Sequence, residues 1–277
     1  MKSVFVKELK RNILIVTGTC RAGKTTLCKA LASAISVEFL DEPWMPMFLP
    51  LLVKQAQIER SVAKSFMHSY FDELCNDMLL YRRANFRPGD GSSIWSFKKA
   101  KDIFYRLNNV NSRGNVESWI DHKNTIFVIA LPEITPFIDF FLSEFESISI
   151  VHLHRQSDEI AALIKDKSWY ADEQLLRPKN NQPYSPYDYS GHLYHMPWWL
   201  SEQDFKRFLN SSEYERGLIY SECFSKFYSD QMRNIPHNNS ARIINVDFDD
   251  IVKDETLVLS KVNDFIEGQF GCFNSGT

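Results

Sequence analysis

Residues 18–25 read GTCRAGKT, directly after the apolar run Ile13, Leu14, Ile15, Val16 and directly before Leu27, Cys28 and Leu31. A glycine, four residues, a second glycine, then Lys24 and Thr25 make the pattern G-x-x-x-x-G-K-S/T, which joins a strand to a helix. The backbone of such a loop wraps N–H groups around an anion at the positive end of the helix. The candidate anion-binding set is therefore Gly18, Thr19, Cys20, Arg21, Ala22, Gly23, Lys24, Thr25 and Thr26. A strand–loop–helix start of this kind commits the chain to an α/β architecture, with its ligand at the carboxyl ends of the strands.

The rest of the chain keeps that rhythm. Apolar runs suited to buried strands recur at 13–16, 37–40, 126–131, 148–153 and 243–246, and helical patterns fall between them at 25–36, 61–83, 136–145 and 158–165. In the long helix, Val62, Phe66, Tyr70, Leu74 and Met78 are expected to face the core. The reading is one P-loop domain over residues 1–277, three layers deep, with a central, mostly parallel sheet flanked by helices. Aromatic loop insertions are expected near 87–113 and 177–200, and both are candidates for an acceptor pocket. Residues 45–53, interrupted by Pro46 and Pro50, are expected to form a loop or cleft wall.

A net charge of −3 over 277 residues gives no general pull toward a polynucleotide, so no nucleic-acid partner is expected. No apolar stretch is long enough to span a bilayer, and Lys2, Lys7, Glu8, Lys10 and Arg11 crowd the start of the chain; a soluble, cytoplasmic protein is expected. Cys20, Cys28, Cys75, Cys223 and Cys272 lack paired metal-ligand spacing and suit a reducing compartment. No metal site is expected. His152 and His154 alternate along a strand and point to opposite faces. His192 and His195 fall in a loop that is a candidate for a second base or an acceptor contact.

The segment 128–133 ending in Leu131, Pro132 and Glu133, a helix to Phe145, the strand 148–153 running on to His154 and Arg155, and then 158–169 resemble, in order and spacing, the sulfotransferases that use 3′-phosphoadenosine 5′-phosphosulfate (PAPS). The run 242–252, followed by a terminal helix with Phe265, is similar to that family's late strand and turn. The resemblance implies that the loop holds the 5′-phosphosulfate end of PAPS, that Arg21 and Lys24 stabilise the transferring group and leaving phosphate, and that Arg155 binds the 3′-phosphate. It implies Glu42, in Asp41, Glu42, Pro43, Trp44, as the base that deprotonates an acceptor hydroxyl on a carbohydrate or small molecule, with Asp41 as the neighbouring alternative. Trp44, Trp95, Trp198 and Trp199 either stack on sugar faces or fill the loops. Ala130 and Leu163 stand where the family has a lysine and a serine.

Lys24 is also the residue with which nucleoside-triphosphate enzymes reach β- and γ-phosphates, so a small-molecule or nucleoside kinase using ATP with Mg²⁺ is the alternative. Such an enzyme needs a carboxylate at a strand end. The strands ending at Leu131 and Leu153 supply no aspartate, which leaves Asp41 and Asp247.

Overall fold

All five apolar runs become strands of one sheet, because residues apolar on both alternating faces are buried only when helices cover both faces. A computed structural model describes residues 11–34, 36–179 and 183–271. Lys2, Lys7, Glu8, Lys10 and Cys272 lie outside the described residues. From the start, β1 (Asn12–Gly18), α1 (Lys24–Leu31) and β2 (Val37–Asp41) are followed by α2 (Met45–Lys54), α3 (Arg60–Leu79), α4 (Ala100–Asn109) and α5 (Arg113–Lys123). Next come β3 (Ile126–Ala130), α6 (Ile138–Glu144), β4 (Ile148–His154), α7 (Ser157–Asp166) and α8 (Asp172–Leu176). A hairpin of β5 (Tyr184–Tyr189) and β6 (His192–Pro197) leads to α9 (Glu202–Leu209) and α10 (Glu213–Asn234). The last elements are α11 (His237–Ser240), β7 (Ile243–Asp247), α12 (Phe248–Lys253) and α13 (Glu255–Phe270).

The main sheet has the order β2-β3-β1-β4-β7 with every pairing parallel. Its register explains the two cores. Ile15 sits opposite Ile129 and Ile150, and these face one side with α2, α3 and α6; Val16 sits opposite Ala130 and Val151 and faces the other side with α1 and α13. Ile13, Leu14, Ile15 and Val16 are all fully buried, each contributing about 1.5–3 kcal/mol over an exposed position. A third cluster, around Tyr220, Phe205, Phe208 and Trp199, packs α7, α9, α10 and the hairpin beside the sheet.

Four local expectations change. The long helix spans Arg60–Leu79, and its core stripe is Ala63, Met67, Phe71, Leu74, Cys75 and Met78, whereas Val62 and Phe66 are exposed. A strict four-residue repeat drifts about 40° per step around a 3.6-residue helix, so Val62 and Phe66 leave the face that Leu74 and Met78 hold. Residues 45–54 form α2, not a loop. Pro46 falls in the first turn, where its missing N–H is no loss. Interior Pro50 costs about 3 kcal/mol, less than the combined burial of Met47, Leu49 and Leu51, which contribute roughly 1.5–3 kcal/mol each. The insertion near 87–113 contains a short 3₁₀ turn, Ile94–Ser96, and α4. The one near 177–200 is the β5–β6 hairpin, in which alternating tyrosines pair antiparallel.

β2 carries a buried charge cluster. Arg106 donates to Glu38 Oε1 at 2.6 Å, both almost fully buried, and Lys98 Nζ lies 3.8 Å from the same oxygen while donating to the carbonyls of Ala34 and Val37. Removing one partner of a buried pair strands the other. Arg106→Met is expected to lower stability by about 3 kcal/mol, read as the urea midpoint at unchanged m-value. A midpoint equal to wild type would show that Lys98 alone compensates Glu38.

Candidate active site

β1 ends at Gly18 with φ 144°, where a Cβ would stand 2.3 Å from the Leu153 carbonyl oxygen of β4. Only glycine lets the loop leave the sheet there. At the other end Gly23 has φ 94° and lies against the Phe248 ring, which a Cβ would meet at 2.4 Å. The loop is thus pinned between β4 and the turn after β7. α1 begins at Lys24 with no acidic residue in its first turn, so its N-terminal amides are free to favour an anion.

The loop opens onto a cavity of about 710 Å³ at the carboxyl ends of the strands. Cys20, Arg21, Gly23, Lys24, Thr25 and Thr26 line it from the loop, Asp41 and Glu42 from β2, and Arg155 from β4. Gly18, Thr19 and Ala22 do not line it. Gly18 shapes the exit, Ala22 is buried, and the Thr19 carbonyl accepts from Lys24 Nζ at 2.9 Å. The half-buried Arg155 donates to Glu159 at 2.7 Å and to the Arg21 carbonyl at 3.0 Å, and its guanidinium lies 4.1 Å from the centroid of the Phe248 ring. Leu163, Lys167, Trp169, Tyr170 and Lys179 complete the far wall. Cations therefore prevail everywhere except at the β2 end.

That acidic end divides in two. Asp41 Oδ1 accepts from Thr25 Oγ1 at 3.2 Å, and burial, then the neighbouring Glu42 charge, raise its carboxyl above the usual range. Glu42 has φ 46° and its carboxylate is exposed, with no side-chain hydrogen bond to another described residue. The partly desolvated carboxylate at this edge is Asp41, because β2 ends there and the chain turns outward at Glu42.

Sequence reasoning missed Glu133. It follows Pro132 of the cavity wall, is fully buried and has φ 59°. Its carboxylate accepts from Cys20 Sγ at 3.5 Å and from Trp198 Nε1 at 3.4 Å, and is hydrogen-bonded to Tyr220. The Cys20 backbone N–H in turn donates to the Tyr220 oxygen at 2.8 Å. Burial raises the Glu133 carboxyl, and burial together with Glu133 pushes the Cys20 thiol up to about 12. Cys20 stays a thiol, and the cluster braces the loop from beneath. β3 thus does bring a carboxylate near the loop, three residues past its end. Nothing local in the sequence marks it, since its partners come from distant segments.

The histidines act elsewhere. His152 is buried and stacked on Tyr228, ring centroids 3.7 Å apart, while His154 points outward with Nδ1 2.7 Å from Asp247 Oδ1. His192 and His195 sit on the hairpin and do not line the cavity. Trp44 lines it; Trp95 does not, Trp198 stacks on Phe137, and Trp199 is buried in the third core. Burial lowers His152 from 6.5 to about 4. The unfolded chain then binds the extra proton between those values, so stability rises with pH through this window and is lost on acidification. Urea unfolding at pH 7 and pH 4.5 is expected to differ by on the order of 3 kcal/mol more in wild type than in His152→Gln. Equal losses in both would exclude His152 as the source.

No family model and no curated protein matches the chain. Among solved structures it is similar to the sulfotransferase domain from the curacin biosynthetic pathway, 13% identical with a TM-score of 0.48, over 94% of this chain and 75% of that one. It is also similar to the sulfotransferase domain from the Synechococcus PCC 7002 olefin synthase, at 11% identity and TM-score 0.43, over 98% and 78%. A third is the sulfotransferase from Alicyclobacillus acidocaldarius, at 12% and 0.38, over 93% and 81%. No helix among the described residues is long and apolar enough to cross a membrane.

Proposed function

We propose that the protein is a sulfotransferase that moves a sulfuryl group from PAPS to a hydroxyl of a carbohydrate or other small molecule. The observation that carries this reading is the tie between Arg155 and the Arg21 carbonyl, which keeps a guanidinium from β4 in the same cavity as the loop. With phosphate in the loop alone that guanidinium keeps only Glu159, the Arg21 carbonyl and the Phe248 ring; a nucleotide with a second, 3′-phosphate engages the loop and the guanidinium together. Planar guanidinium suits such bidentate contact. The start of α1 also suits an anionic donor, since Lys24, Thr25 and Thr26 line the cavity and no acidic residue in that first turn opposes an anion.

When bound, PAPS supplies an activated sulfuryl group. Lys24 exchanges the Thr19 carbonyl for the leaving phosphate, and Arg21 with the loop amides shares the developing charge. As the acceptor oxygen bonds to sulfur, the bond from sulfur to the bridging oxygen breaks and its electron pair leaves on the phosphate. The acceptor's proton passes to Glu42. Glu42 is assigned this role because its carboxylate is unengaged, whereas Asp41 already accepts from Thr25. The four described cysteines are free, and burial holds all four thiols above their ordinary range, which suits a cytoplasmic enzyme.

Arg155→Ala tests the donor assignment. Adenosine 3′,5′-bisphosphate is expected to bind about 10- to 100-fold more weakly and adenosine 5′-phosphate nearly as before, by calorimetry. Equal loss for both ligands would contradict a 3′-phosphate role. The Thr25–Asp41 contact favours a second reading, since a loop hydroxyl beside a carboxylate is how ATP-dependent enzymes hold Mg²⁺.

A further inference from the structure

The main cavity is lined by more cations than the donor engages. Arg21, Lys24 and Arg155 serve PAPS in the proposed reaction, whereas Lys167 and Lys179 stand on the far wall without a part in it. The two carboxylates of the cavity are also taken, Asp41 by Thr25 and Glu42 by the acceptor's proton. Lys167 forms no ion pair and no side-chain hydrogen bond with a described residue. Lys179 donates to Glu173 at 3.1 Å, but both side chains are largely exposed, and such a pair is weak enough to exchange partners.

A defined turn builds this wall. α7 ends in a Schellman motif, in which the Trp169 N–H donates to the Ile164 carbonyl at 3.3 Å and the Ser168 N–H to the Lys165 carbonyl at 2.8 Å. Ser168 takes the left-handed position at φ 49°, where glycine is usual. The turn leaves Lys167 at the helix end and brings Trp169, half-buried and packed on the third core, to the same cavity wall. Gln174 of α8 joins them, and its amide makes no hydrogen bond to a described residue. An ammonium, an indole and an unengaged amide therefore line one wall.

Each group narrows the ligand. A neutral sugar makes no use of Lys167, and an aromatic acid makes no use of the Gln174 amide. A hydroxylated ring bearing an anion uses both, with its apolar face on the indole. Glu42 repels an anion, so the anionic group is directed to Lys167 and a hydroxyl to Glu42. We propose that the acceptor is an acidic sugar, a pyranose whose carboxylate or sulfate is held by Lys167 with help from Lys179, its ring on Trp169 and its reacting hydroxyl toward Glu42. The word acceptor rests on the sulfuryl-transfer reading; the acidic-sugar site does not.

Methyl β-glucuronide and glucose 6-sulfate are titrated into the full chain and followed by saturation-transfer NMR, with methyl β-glucoside as the neutral control and 4-hydroxybenzoate as the aromatic one. At least one acidic sugar is expected to bind wild type about 10-fold more tightly than either control, and the better of the two tells carboxylate from sulfate. Lys167→Gln is expected to abolish the preference over the neutral sugar and Lys167→Arg to retain it, while both bind adenosine 3′,5′-bisphosphate as wild type does. Lys167 is exposed, so neither change disturbs the core, and thermal melting checks this. No acidic-sugar binding, equal binding of either control, or a preference that survives Lys167→Gln would overturn the inference. So would a loss of bisphosphate affinity in Lys167→Gln as large as the loss for the acidic sugar, since Lys167 would then be a ligand of the donor. If the acidic-sugar result holds and the bisphosphate fails to bind wild type, the site stands and the sulfuryl-transfer reading falls.

Discussion

Glu42→Gln is expected to lower kcat about 100- to 10,000-fold, the usual worth of a positioned general base. The affinity for adenosine 3′,5′-bisphosphate is expected to stay within about twofold, because the substitution keeps the shape of an exposed side chain whose carboxylate makes no hydrogen bond to a described residue. The paired control is Asp41→Asn, which removes the carboxylate that accepts from Thr25. If Asp41→Asn abolishes turnover and Glu42→Gln does not, the proton goes to the half-buried acid and the assignment of Glu42 is wrong. A pH profile of kcat separates the two further: burial and the Glu42 charge raise the Asp41 carboxyl, so an Asp41 base would lose activity on acidification at a higher pH than an ordinary carboxylate.

Lys24→Met is expected to reduce kcat by about 100- to 1,000-fold, the loss seen when one preorganised donor to developing charge is removed. Lys24 is almost fully buried, with its ammonium held 2.9 Å from the Thr19 carbonyl at the mouth of the anion cradle. Methionine retains the stem that fills this space. The donor's KM is expected to rise far less than kcat falls, because the charge on the bridging oxygen is greatest in the transition state. A KM change as large as the kcat change would mean that Lys24 binds the ground state only.

Much of this was legible in the chain because it is local. The loop from Gly18 to Thr25 is contiguous, and its glycines and helix start need no distant partner to be recognised. The five strands were legible because each is a short apolar run, and a doubly covered parallel strand requires nothing more. Arg155 was legible only through order and spacing relative to a known family. What stayed hidden depends on contacts between remote segments. Glu133 meets Cys20 from 113 residues away, and Tyr220 meets the same loop from 200 residues away, so no window of sequence holds the bracing cluster. The stripe on α3 was misread because Val62 and Phe66 are large and apolar, yet no described element covers that face of the first turns.

The division of charge in the main cavity follows from the same topology. Parallel strands bring every loop that follows them to one edge, so a loop after β1, a turn after β2 and an arginine after β4 converge although they are far apart in the chain. Cations from α1 and β4 then face two carboxylates from β2 across one space. In the proposed reaction an anionic group lies at the first and the attacking hydroxyl is deprotonated at the second. Thr25 joins the two ends through Asp41, and that contact is also what keeps the ATP reading alive.

Calorimetric titration of the full chain with adenosine 3′,5′-bisphosphate and, separately, with ATP plus Mg²⁺ tests the central claim most directly. The bisphosphate is expected to bind with at least about tenfold higher affinity, without need of metal. Tight, Mg²⁺-dependent binding of ATP with no measurable binding of the bisphosphate would contradict it.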